Sequence, residues 1–128
     1  MIKNFKLFEE FSTKRYYKVV TKDLKSLGLR KNPTIMTFPI GEWVYEQKPT
    51  KDQGGWGGTG GIWVANGLQG GKGLMKYLRK KAIKEDKPEF LECRLFEVEI
   101  GEILYSNSYR TKTDKVKLKK EIKNDKEF

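Results

Sequence analysis

The sequence predicts a single α+β domain, a largely antiparallel or mixed sheet with about three helices packed mainly on one face. Three observations carry this. Short β-branched and aromatic runs are punctuated by glycine, proline and asparagine, three segments show helical spacing or helix-end signals, and no regular strand–helix–strand repeat is present.

In chain order, Ile2, Phe5, Phe8 and Phe11 fall three apart opposite Lys3, Lys6, Glu9 and Glu10, which predicts a short opening helix. Arg15 to Val20 has the composition of a strand; Thr21 as an N-cap and Gly28 as a stop then predict a short second helix. Asn32-Pro33 is a turn signal. Residues 34–40 follow as a strand that Pro39 confines to an edge, and Gly41 turns the chain into a further strand over residues 42–46. From Gln47 to Gly61 there is no periodicity, so a glycine-rich loop is expected, with Trp56 at its tip and a short buried strand, residues 62–65, after it.

After Gly73 the period changes. Leu74, Met75, Leu78 and Ala82 cover one face of a third helix, while Lys72, Lys76, Arg79, Lys80 and Lys84 cover much of the other. Pro88 ends it. Residues 90–100 read as the longest strand, with Phe96, Val98 and Ile100 on one side and Glu97 and Glu99 on the other, so one face is wet or meets a partner. Residues 106–114 read as a polar turn before a last strand over residues 115–118, after which Lys119 opens a charged stretch with little to bury. Residues 1–122 form the expected domain and 123–128 a charged, frayed tail.

Composition excludes more than it assigns. The uncharged stretch Gly54 to Gly71 is half glycine and too short and polar to span a bilayer, and the N-terminal residues lack the apolar core of a signal peptide, so a cytoplasmic protein is expected. With no histidine, imidazole acid–base catalysis, histidine-based triads and the common zinc hydrolase sites are ruled out. The lone Cys93 is expected to be buried and inert, and neither a metal nor a cofactor is expected.

The net charge of +10 is uneven: residues 1–30 carry +5, residues 31–70 none, residues 71–87 +5, residues 88–105 −4 and residues 106–128 +4. Clustered cations attract polyanions, and arginine grips phosphate bidentately where lysine remains a hydrated point charge. Candidate phosphate or nucleic-acid contacts are therefore Arg30, Lys72, Lys76, Arg79 and Lys80, with Arg110 and Lys112 in the polar turn, and Trp56 as a stacking residue. A solvated lysine-rich surface is the competing explanation of the same charges.

Eleven of the thirteen glycines and all three tryptophans lie between Gly41 and Gly73. The run from Gly67 to Gly73 invites comparison with a phosphate-cradling loop, but a Walker loop needs glycine at 66 and a hydroxyl at 73, where Asn66 and Gly73 stand; only a weaker anion nest beside Lys72 remains. Trp43 and Trp63, inside strands, are expected in the core.

Glu97 and Glu99, on one side of a strand, are the alternative catalytic pair. Together with Arg15 early in a strand and Thr59 at a strand entry, they distantly resemble the arginine, serine and glutamate elements of ADP-ribosyltransferases, although the Ser-Thr-Ser step is absent. That resemblance implies a split-sheet α+β fold that binds NAD. The order of residues 17–29, Gly41 to Trp43, residues 60–65 and residues 95–104 is also similar to small uncharacterised domains of bacteriophage and bacterial genomes, which implies a mobile-element accessory protein. The reading favoured by charge is a non-enzymatic module that binds nucleic acid or another polyanion. The alternatives are a nucleotide-binding enzyme or sensor and an inhibitor or adaptor that binds an acidic host protein.

Overall fold

The computed structural model describes residues 14–27, 35–46 and 60–123. The expected opening helix, the Asn32-Pro33 turn, the glycine-rich loop through Thr59, and the end of the tail lie outside these residues, as do Arg30 and Trp56.

Seven strands form one antiparallel sheet: β1 (Tyr16–Val20), β2 (Trp43–Tyr45), β3 (Ile62–Ala65), β4 (Arg94–Ile100), β5 (Ile103–Ser106), β6 (Arg110–Thr113) and β7 (Lys115–Ile122), in the order β2-β7-β4-β1-β3-β6-β5. A single α-helix, α1 (Leu68–Lys84), lies against one face, and a 3₁₀ turn, Pro88–Glu92, follows it. The expectation of about three helices on the sheet is thus corrected: the fold is a sheet-dominated α+β with one α-helix among the described residues.

The expected helix after Thr21 is absent for a local reason. Thr21 takes the N–H of Leu24 on its carbonyl and the N–H of Lys25 on its hydroxyl, and Leu24 adopts a left-handed φ of 63°, which closes a turn. Ser26 and Met36 then bond to each other, and Lys25 forms an isolated bridge with Thr37, so residues 35–40 run beside this turn and the predicted edge strand shrinks to that one bridge. The long strand expected over residues 90–100 begins only at Arg94, because Pro88 opens a 3₁₀ turn.

Strand alternation divides the core between the two faces. Tyr17, Val19 and Leu95 meet Met75, Leu78 and Ala82 of α1, with Phe90 and Cys93 closing the end. On the opposite face Val20, Phe96, Val98, Val116 and Leu118 pack together and Phe38 covers them. A forked ion pair, Arg94 to Glu121 at 2.7 and 3.0 Å, ties β4 to β7 on that second face.

The helix begins at Leu68, so Gly70, Gly71 and Gly73 stand within it and do not form a loop ahead of it. Of the three, Gly71 has a packing role. A Cβ on Gly71 would come within 2.7 Å of a Leu95 methyl and 3.5 Å of Tyr17 Cβ, so glycine lets α1 settle onto β1 and β4. Lys72, counted as a surface cation from the sequence, is 8% exposed.

Cys93 is buried, and desolvation, with the Glu89 charge adding to it, pushes its thiol up to about 11. A thiolate fraction of only about 0.1% at pH 8 follows from that value. The native protein should therefore react with a thiol reagent at pH 8 far more slowly than the denatured chain; equal rates would place Cys93 at the surface.

Candidate functional site

Two strand lengths create the site. The β1–β4 ladder stops at Tyr16 opposite Val98, whereas β4 continues through Glu99 and Ile100 with only β7 beside it. The exposed flank of β4 opens a cleft of about 510 Å³, within the size range of small-ligand sites. Lys14, Arg15 and Tyr16 enter it from the start of β1, Glu97 and Glu99 from β4, and Trp43 and Lys119 from the far side.

Lys119 reaches the cleft through a bulge. Leu118 pairs with Val98 and Lys120 with Glu97, leaving Lys119 as the extra residue of β7. Its ammonium lies 3.4 Å from Glu99, and Lys117 holds the same carboxylate at 3.4 Å. Against a desolvation that would raise it, the hydrogen bonds and charges of Lys117 and Lys119 keep Glu99 below the usual carboxylate range. Glu97 faces the Arg15 guanidinium at 3.7 Å. Trp43 lies beside Lys117 in the β2–β7 register and carries the Lys115 and Lys117 ammoniums at 4.5 and 5.0 Å from its ring centre. The cleft therefore combines a fixed anion, a guanidinium–carboxylate pair, further cations and the Trp43 ring, while Tyr16 packs its own ring on the core of the opposite face.

No family model matches this sequence, and neither does any curated protein or solved structure. Assignment rests on the geometry alone.

The residues picked out by sequence fall into separate groups. Glu97 and Glu99 meet Arg15 in the cleft. Gly70 faces Ala65 and the Tyr109 carbonyl, which sets one flank of α1 toward β3 and β6. At about 100° per residue, Lys72, Lys76 and Arg79 lie on the opposite flank, toward β4 and β7, and Lys80 on the outer surface. Arg110 and Lys112 sit on β6, across the helix from those cations, with Arg110 3.8 Å and Lys112 5.2 Å from the Trp63 ring centre. Lys112 is buried at 4% exposure, and α1 keeps the two cation groups apart.

The polar turn is largely an internal construction. Asn107 Oδ1 accepts the N–H groups of Tyr109 and Arg110, Asn66 donates to the Asn107 carbonyl, and Thr111 links Asn66 to Ser106. It is the hairpin that joins β5 to β6 and anchors the start of α1.

Sequence reasoning missed Trp43, Lys119 and Lys14 at the cleft and placed Trp43 and Trp63 in the core, whereas both are half-buried under cations. The alternation Lys115, Lys117 against Val116, Leu118 was the available signal, since it predicts a cationic face on β7. The bulge that redirects Lys119 leaves no such trace.

Proposed function

We propose that the protein is a cytoplasmic binding module for a phosphorylated nucleotide, held in the cleft of Arg15, Glu97 and Glu99, and that it acts as a sensor or an enzyme on that ligand. One observation carries the reading: Arg15 and Glu97, from distant parts of the chain, stand 3.7 Å apart in a cleft that also holds Glu99 and the Trp43 ring. A guanidinium is the best phosphate fork among side chains, aromatic faces accept a base, and a fixed carboxylate accepts sugar hydroxyls. These are also the residues through which the sequence resembles ADP-ribosyltransferases, and the resemblance favours the same class of ligand. The net charge of +10, with Lys76 and Arg79 on the helix flank toward this side, favours attraction of anions to the cleft.

Nucleotide binding is tested by thermal shift with mono- and dinucleotides at about 1 mM, a concentration that raises the melting temperature for any ligand bound well below it. Stabilisation is expected for the wild type. Arg15→Ala should weaken it by on the order of 10- to 100-fold in affinity, the usual cost of a charged hydrogen bond. Absence of stabilisation by every phosphorylated nucleotide would overturn the assignment.

A further inference from the structure

The flank of α1 away from the cleft faces a second group of side chains, with a different chemistry. Trp63 on β3 carries the Arg110 guanidinium 3.8 Å from its ring centre, with Tyr105 of β5 edge-on at 5.9 Å. Two exposed rings belong to the same side of the helix: Tyr109, 81% exposed in the β5–β6 turn, and Tyr77, 53% exposed on α1. Gly70 marks where the Tyr109 backbone meets the helix, with a Cβ there 3.8 Å from the Tyr109 carbonyl. Tyr77 lies seven residues beyond Gly70, hence on the same flank two turns along, about 10 Å down the axis.

We propose that this aromatic surface binds single-stranded nucleic acid. Bases of an unpaired strand offer π faces to Tyr77 and Tyr109, and stacking of this kind tolerates any base. The cations of this surface match the backbone: Arg110 over Trp63, and Lys81, whose ammonium lies 5.8 Å from the Tyr77 ring centre and 3.0 Å from Glu85. Stacked on Trp63, the guanidinium plane is held in one orientation, so less freedom is lost when it meets a phosphate. A duplex keeps its bases within its own stack and offers these rings little. An acidic polypeptide matches the cations and leaves the tyrosines unused. This surface is separate from the nucleotide cleft and does not depend on it.

Fluorescence anisotropy with a labelled oligothymidylate of about 15 nucleotides tests the proposal, with salt varied between about 50 and 200 mM. Salt-sensitive binding is expected, weaker for a duplex of equal length. Tyr77→Ala with Tyr109→Ala should cost on the order of 10-fold for each ring, at an unchanged melting temperature, and the two phenylalanine variants should restore binding. Equal binding of duplex and single strand, equal competition by polyglutamate, or full affinity in the double alanine variant would each overturn it. Displacement of the oligonucleotide by free mononucleotide would put the strand in the cleft and overturn the assignment to this surface while leaving the cleft reading intact.

Discussion

Replacing Phe38 with alanine should cost about 3–5 kcal/mol of stability, the usual range for a buried phenylalanine. Phe38 is 1% exposed and covers the sheet face opposite α1, yet it belongs to no strand. Its backbone N–H reaches the Leu24 carbonyl at 2.7 Å, so the ring and that bond together hold residues 35–40 on the sheet. Truncation removes the apolar cover from Val20, Phe96 and Leu118 and leaves a void that the strands beneath cannot close. Chemical denaturation of both proteins measures the difference. A loss below about 1 kcal/mol would mean that the second core does not depend on this ring.

The second large effect depends on pH and concerns Lys18. Its side chain lies on the Phe38 side of β1, where the ammonium donates to the Trp63 carbonyl at 2.9 Å and sits 5.1 Å from the Phe38 ring centre. The bond spans a seam, because β1 and β3 pair only at Tyr17 and Ala65. Desolvation by burial lowers the amine from its usual 10.5 to about 8. The unfolded chain then holds a proton that the native state has lost between those values, so the contribution of Lys18 to stability rises from pH 8 to pH 10.5 and is lost as pH falls through 8. A shift of this size corresponds to about 3 kcal/mol at most. Denaturation of the wild type and Lys18→Met across pH 7 to 10.5 isolates it from other titrations: the stability of the wild type relative to the variant should climb above pH 8 and stay flat below. Parallel curves would show a solvated amine. Phe38→Ala should weaken the pH effect, since it admits water to the same ammonium.

How far the fold could be read depended on whether a feature was local. Strands β1 and β3 could be read from composition, and the start of β7 and the apolar face of α1 from side-chain period, but β7 runs on to Ile122, past the expected end at Leu118, and α1 begins at Leu68, ahead of the expected start after Gly73. The segment after Thr21 has helix-end residues at both limits, but a hydroxyl cap with a left-handed Leu24 produces a turn from the same signals. Gly70 and Gly71 have the composition of a loop; they stand in the helix, and the close approach of Leu95 and Tyr17, far away in sequence, is what favours glycine at Gly71. The site divides in the same way. Glu97 and Glu99 were visible as neighbours on one strand, whereas the meeting with Arg15 depends on where β1 stops, and the approach of Lys119 depends on a bulge. Charge clustering in the sequence could not show that α1 would stand between Arg79 and Arg110.

The proposed nucleotide site is one cleft, opened where β1 ends short of β4. Backbone amide NMR of the full chain during a nucleotide titration tests this most directly. The largest saturable shifts are expected at Arg15, Tyr16, Trp43, Glu97, Glu99 and Lys119, with the amides of β5 and β6 unmoved. Shifts spread over the lysine-rich surface without saturation, or saturable shifts confined to residues away from this cleft, would contradict it.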